Sequence, residues 1–392
     1  MSLVIFGDSF TFPDGTAATN HVYTHARGFQ EHGVSVHVIC FENEYLDEYD
    51  GIRDGIKYYH PFARKKRSPS FFARRWHKFM KYVRAFMLLK KINKSDKVIS
   101  INLWSFRFAT QLFSFFLAKA FKTKLLIDSS EHPLRNIRDN KAAQLLGRLR
   151  LNVERGFYDG VFCISNYLIE FYKSNGFAEK KLILVPSTVD TSRFSTRTES
   201  PLPYEYIAYC GSLTVMKDGV HILVESFSRI SVKYKDINLV LIGVGDTQEE
   251  EDFVRNLVKS LDMESRIIFM GLLPRTDVPR YLMNAKILAL ARPKSKVADA
   301  GFPSKLTEYL STANPVVVTK VGEIPYYLRD NEHAFLAEPD SVDAFAEKLE
   351  YVLSDYDFAK RVGEKGKELT ATTFNYNFQA KRVLDFINSL SN

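Results

Sequence analysis

The run Gly301-Phe302-Pro303-Ser304-Lys305-Leu306-Thr307-Glu308 has the residue types of a phosphate seat. Gly301 marks a loop and Pro303-Ser304 a helix start. Either Ser304 caps the helix, or Pro303 occupies its first turn, where a missing N–H costs nothing. The first turn of a helix presents N–H groups without internal partners and the positive end of the dipole, and both favour an anion. Glu308 falls one turn further in, where a carboxylate can accept hydrogen bonds from sugar hydroxyls. An ordinary αβ unit with a solvated glutamate would show the same residues, so this run has to be read with the rest of the chain.

Other candidates stand at the ends of apolar runs. Glu131-His132 follow the strand-like Lys124-Leu125-Leu126-Ile127-Asp128, and in open parallel sheets that carboxyl end is the ligand edge. A lone histidine is more often structural, but its place beside Glu131 makes the pair a candidate. The loop from Asp8 to Ala18, with Gly15 and Thr16, opens a helix with small residues that let backbone approach a ligand. It is not the G-x-G-x-x-G dinucleotide pattern. Gly243-Val244-Gly245 is a further glycine-rich turn after a strand.

The elements that position these residues follow a simple alternation. Apolar strands at 3–7, 34–41, 97–101, 124–128, 160–164 and 182–185 are separated by helical stretches. After a polar connection over 186–203 the pattern restarts, with strands at 206–211, 238–242, 267–271, 285–290 and 315–318. Strands alternating with helices twice over predict two doubly wound α/β domains with a cleft between them. The predicted boundaries are 1–190, 191–372 and a closing helix over 373–392.

At 392 residues, 45% hydrophobic and 26% charged, the chain has the composition of an ordinary globular protein. Cys40, Cys163 and Cys210 sit in apolar runs without metal-ligand or disulfide spacing. No leader pattern and no run of about eighteen apolar residues is present, which predicts a cytoplasmic protein. The net charge of +8 is local: residues 64–91 hold eleven Lys/Arg and no acid, leaving the remainder slightly negative. Within that segment Phe72, Trp76, Phe79, Val83 and Phe86 recur at helical spacing. Such a helix suits the inner face of an anionic membrane, and at least part of its aromatic stripe is expected to pack on the core. No nucleic-acid motif accompanies the charge.

Several segments, in order, resemble the retaining GT-B glycosyltransferases known as family 4. Val185-Pro186-Ser187-Thr188-Val189-Asp190 with Phe194 is similar to V-P-N-G-V-D, and Gly211-Ser212-Leu213 with Lys217 to G-R-L-x-x-x-K-G. Ile242-Gly243-Val244-Gly245 is similar to I-G-x-G. Gly301 to Val317 is similar to G-x-P-x-K-L-x-E-Y-L-A-x-G-x-P-V-V, and Val321-Gly322-Glu323-Ile324-Pro325 to the loop that follows. The resemblance implies a GT-B fold whose closing helix crosses back to the N-terminal domain. It implies transfer of a sugar from a UDP- or GDP-sugar donor to a glycan or lipid-linked acceptor, without cofactor or divalent metal.

Carried onto this sequence, the resemblance makes Lys217 the cation on the leaving diphosphate, with the amides of Pro303-Ser304-Lys305 and the Lys305 ammonium beside it. Phe302, Leu306, Ser212 and Gly243 line the nucleotide, and Glu308 holds the ribose. Gly15 and Thr16 cover the diphosphate, and Glu131 or His132 contacts the donor sugar or the acceptor hydroxyl. Three positions depart from the pattern. Ala300 stands eight places before Glu308, where the family has an acid; Ser212 replaces an arginine; and Val321 replaces a glycine. Two rivals stay open: a sugar-nucleotide epimerase or phosphorylase, since both chemistries occur on related two-domain folds, and a non-catalytic sugar-nucleotide-binding partner subunit, motivated by Ala300 and Ser212.

Overall fold

Strand β1 (Ser2–Gly7) is buried at every position, as an unbroken apolar run requires of a strand covered on both faces. In the computed structural model, which describes residues 1–15, 17–134, 141–196 and 198–390, it is central to an eight-stranded sheet. The other members are β2 (Ser35–Cys40), β3 (Asp50–Arg53), β4 (Ile56–Tyr59), β5 (Val98–Trp104), β6 (Lys124–Ser129), β7 (Gly160–Cys163) and β8 (Leu182–Leu184). Their order is β3-β4-β2-β1-β5-β6-β7-β8, parallel throughout except for the β3–β4 hairpin. Winding reverses between β1 and β5, so the switch point lies at the ends of those strands.

This sheet belongs to a unit made of Met1–Thr188 and Tyr376–Asn392. The closing helix, Tyr376–Ser389, lies on the first helix, Ala17–Glu31, and places Ala380, Val383 and Ile387 in one cluster with Val22, Ala26 and Phe29. Gly28 permits the approach, because a Cβ there would stand 2.6 Å from that of Ala380. Polar contacts fix the register: the Tyr376 hydroxyl donates to Glu31 at 2.6 Å, and Arg382 donates to the Leu184 carbonyl at 3.2 Å.

Val189–Asn375 form the second unit. Its six strands are β9 (Glu205–Cys210), β10 (Ile237–Ile242), β11 (Ile267–Gly271), β12 (Ile287–Leu290), β13 (Val316–Thr319) and β14 (Phe335–Ala337). They are parallel, in the order β11-β10-β9-β12-β13-β14, with a switch point between β9 and β12. The chain enters and leaves this unit side by side: the Val189 amide donates to the Phe374 carbonyl at 3.1 Å, and Val189 bridges to Asn375.

The basic segment forms the helix Phe71–Ser95, capped by Ser70, whose hydroxyl accepts from the Ala73 amide. Its buried side chains are Lys81, Ala85, Leu89 and Ile92. The aromatic stripe lies on the opposite side, with Phe72 82%, Trp76 59%, Phe79 57% and Phe86 41% exposed. Part of the stripe packs as expected, through half-buried Val83 and the Phe86 ring against Phe121, while Phe72, Trp76 and Phe79 face outward. The apolar positions Ala85, Leu89 and Ile92 compete for the same interior and win it, because Lys81 is anchored there by a 2.9 Å hydrogen bond to the Phe41 carbonyl.

Candidate active site

At the second unit's switch point, the ends of β9, β10 and β12 bring Ser212, Gly243 and Arg292 to one sheet edge. Gly243 has φ +130°, and a Cβ there would lie 2.0 Å from the Gly211 carbonyl oxygen. Only glycine fits so close a backbone approach. Above Gly211 comes the short helix Val215–Asp218, which leaves Lys217 exposed and Asp218 buried. Tyr209 donates its hydroxyl hydrogen to the Ser212 carbonyl at 2.6 Å, fixing the turn that follows β9.

Lys305 occupies a different place from the one its role as a diphosphate cation requires. Its Nζ lies 2.7 Å from Asp218 Oδ2 and 2.9 Å from the Tyr209 hydroxyl. Burial would raise the Asp218 carboxyl, but the Lys305 ammonium, with Arg292 and Lys217 beyond it, outweighs this and holds it below the usual range. Lys305 therefore neutralises an internal carboxylate, while Lys217 is exposed at this edge.

The helix Ser304–Ser311 begins differently from either predicted alternative. Pro303 is the boundary residue, extended at φ −70° and ψ 109°, without a side-chain cap. Its carbonyl accepts from the Leu306 amide at 3.0 Å. Ser304 and Lys305 are thus first-turn residues, whose amides an α-helix cannot bond internally. Phe302 is a core residue, its ring 5.5 Å from Tyr327 and 5.3 Å from Phe374. Leu306 is fully buried. Both side chains are buried and hold the loop that carries Pro303 and Ser304. Glu308 pairs with Arg193, whose guanidinium also donates to the Arg275 carbonyl at 3.2 Å. Arg193 was not singled out in the sequence, although it lies in the segment between Asp190 and Phe194.

In the first unit, Gly15 is exposed in a loop tied by Thr11 and Thr19: Thr19 donates to the Thr11 carbonyl at 2.8 Å, and Thr11 to that of Asp14 at 2.8 Å. Thr16 lies outside the described residues. Glu131 and His132 follow β6. The Leu134 amide donates to His132 Nδ1 at 3.1 Å, so the neutral ring carries its proton on Nε2. The ring packs 4.7 Å from Phe171 and 5.9 Å from Tyr167.

A further cluster escaped the sequence reading. His21 and His25, four apart on one helical face, meet Asp128 of β6, with one ligand atom from each within 4.8 Å of the others. The i, i+4 histidine pair was the available signal. His21 Nε2 lies 2.7 Å from Asp128 Oδ2, whereas two ligands of one tetrahedral ion stand about 3.4 Å apart. The group is closed on itself as a hydrogen-bonded pair. Burial first, then the neighbouring His21, lower the His25 imidazole to about 3, despite Asp128 nearby.

Comparison with known proteins now decides the family. Residues 18–193 match the model described as Glycosyltransferase Family 4, and residues 190–369 the one described as Glycosyl transferases group 1. The chain belongs to the group 1 glycosyltransferases. It is similar to D-inositol 3-phosphate glycosyltransferase of Corynebacterium glutamicum, 25% identical over 50% of this chain and 46% of that protein. It is also similar to the GDP-mannose-dependent alpha-(1-6)-phosphatidylinositol monomannoside mannosyltransferase of Mycobacterium tuberculosis, 24% identical over 58% of this chain and 61% of that one. The matched part spans about half the length of these curated relatives.

Two solved structures place this group 1 member in the GT-B fold. Sucrose-phosphate synthase from Thermosynechococcus elongatus superposes with a TM-score of 0.75 at 16% identity, covering 100% of this chain and 99% of that one. Anabaena HepE in complex with UDP and glucose superposes with a TM-score of 0.74 at 14% identity, covering 99% and 100%.

Proposed function

We propose that this group 1 member is a retaining glycosyltransferase that moves a sugar from a UDP- or GDP-sugar to a glycan or lipid-linked acceptor. The observation that carries the reading is the second unit's switch point, where Lys217 and the first turn of the Ser304–Ser311 helix stand at one sheet edge with Arg193–Glu308. Glycosyl transfer leaves negative charge on the departing diphosphate, so groups that stabilise that charge lower the barrier most. Lys217 supplies the cation and the Ser304 and Lys305 amides supply donors. Asp218 and Tyr209 hold Lys305 as a strut beneath the turn at Gly211. Arg193 orients the Glu308 carboxylate for a ribose.

In the first unit, Glu131 and His132 would address the transferred sugar or the acceptor hydroxyl, and the loop at Gly15 would cover the donor. No divalent metal is needed for the leaving group if Lys217 and the helix amides meet its charge. UDP in the HepE structure and the GDP-mannose dependence of the mycobacterial relative support a nucleotide-sugar donor of either base. The relatives' inositol lipid and phosphate acceptors support a role in glycolipid or surface polysaccharide synthesis, which would set the enzyme to work at the cytoplasmic face of a membrane.

Ala300 and Ser212 favour one rival specifically, a binding subunit without turnover. Incubation with a panel of UDP- and GDP-sugars separates the readings. Slow release of free sugar supports the transferase. Tight binding without turnover supports the subunit, and a rearranged nucleotide sugar overturns both in favour of an epimerase.

A further inference from the structure

The Phe71–Ser95 helix is amphipathic with its aromatic face outward. Its inner stripe includes a lysine, and its outer stripe is Phe72, Trp76, Phe79 and Phe86. It cannot roll to hide those rings. Lys81 Nζ is bonded to the Phe41 carbonyl and lies 4.1 Å from the centre of the Phe41 ring. Arg84 donates to the Phe62 carbonyl at 2.9 Å, and Arg74 to that of Ser68 at 3.1 Å. The outward face is therefore built in, and a contiguous exposed apolar patch marks an interaction surface. It continues onto the helix Phe108–Phe121, where Phe121 packs 5.2 Å from Phe86 and Lys119 and Lys122 are exposed.

What covers it follows from charge. Lys66, Arg67, Arg75, Lys78, Lys90 and Lys91 are exposed, and none forms an ion pair among the described residues. A second copy of the chain would set Lys66, Arg67, Arg75 and Lys78 against the same cations across the same face, which like-charge repulsion opposes. Protein interface cores are depleted in lysine. Single-stranded nucleic acid is bound in grooves that track its backbone, whereas this is a helical ridge. Aromatic rings in a row, fringed by lysine and arginine, match the headgroup boundary of an anionic bilayer.

We propose that this face docks on an anionic lipid bilayer, with Phe72, Trp76 and Phe79 at the acyl boundary and Lys66, Arg67, Arg75 and Lys78 among the headgroups. The docking is independent of the reaction assigned above, and a chain without transferase activity would show it equally.

The full chain reports its own binding. It has two tryptophans, and Trp104 is only 8% exposed, so a change in indole emission comes from Trp76. With vesicles of about 30% phosphatidylglycerol in phosphatidylcholine, the protein should float, its emission should move to the blue, and high salt should reverse both. Phe72→Ser with Phe79→Ser should weaken partition at least ~10-fold at unchanged melting temperature, since both side chains are exposed. Replacing Lys66, Arg67 and Lys78 by Gln should weaken it about fivefold per cation. Trp76→Phe should abolish the emission change and keep flotation. Absence of flotation, or equal binding to pure phosphatidylcholine, overturns the proposal. So does a doubled mass in sedimentation with Trp76 shielded from acrylamide before lipid is added, or binding of an oligonucleotide with no binding of vesicles.

Discussion

Lys305 Nζ sits 2.7 Å from Asp218 Oδ2, and a Cβ on Gly211 would stand 2.3 Å from the same nitrogen. The pair joins the start of the Ser304–Ser311 helix to the turn after β9, alongside the Tyr309 hydroxyl, which accepts from the Cys210 amide at 2.7 Å. Removing one partner of a mostly buried pair leaves the other charged and unsolvated. Asp218→Asn should therefore lower stability by about 3 kcal/mol, read as a fall in the urea midpoint. Lys305→Met in the same chain should recover much of that loss, because no uncompensated charge remains. Additive losses in the double variant would rule out the coupling.

Lys217 should behave differently from Lys305. Lys217→Ala removes an exposed cation whose charge the buried Asp218 feels, so stability should fall less than in Asp218→Asn while turnover of a nucleotide sugar falls at least ~10²-fold. Unchanged turnover would sink its assignment to the leaving diphosphate.

Glu308→Ala should weaken nucleotide binding and leave Arg193 without its carboxylate. Calorimetric titration with UDP and GDP measures this directly. Affinity equal to that of the parent chain would place the ribose elsewhere.

Gly243→Ala would press a methyl group onto the Gly211 carbonyl, 2.0 Å away. The turn at Ser212 must then shift, and nucleotide affinity should fall together with thermal stability. A stable variant with intact binding would show that the turn does not contact the donor.

The His25 imidazole is lowered to about 3 in the folded chain, chiefly by burial. Unfolded, it titrates near about 6.5. Below that value the unfolded state binds a proton that the folded state refuses, so stability is fully present above pH about 6.5 and falls as pH drops toward about 3. The slope is about 1.4 kcal/mol per pH unit for one such group. In His25→Leu, the loss of melting temperature between pH 6.5 and 5 should be smaller than in the parent. Identical pH profiles would contradict it.

The sequence displayed the parts of the site that depend on backbone. Gly211, Gly243 and the Gly301–Glu308 run are legible because a close approach, a tight turn and a helix start each demand particular residue types. Partnerships between side chains distant in sequence were not legible. Lys305 and Asp218 are eighty-seven positions apart, and Glu308 and Arg193 one hundred and fifteen, so no local pattern announces either pair. The strands β3 and β14 were missed for a related reason. Asp50–Arg53 buries no residue and has Ile52 as its one apolar side chain, and Phe335–Ala337 is only three residues long. The aromatic stripe after Phe71 was recognised as a stripe, but periodicity cannot say which face of a helix is inside when both carry apolar residues.

The side-by-side entry and exit at Val189 and Phe374 make the second unit an insertion within the first. Domains generally fold in the order in which the ribosome delivers them, and here that order is inverted. The nascent first unit holds Val22, Ala26 and Phe29 ready for Ala380, Val383 and Ile387, which emerge only after the whole inserted unit has been made. A chain stalled before Tyr376 would carry a finished second unit and an unfinished first one, with that stripe open to chaperones or to other nascent chains.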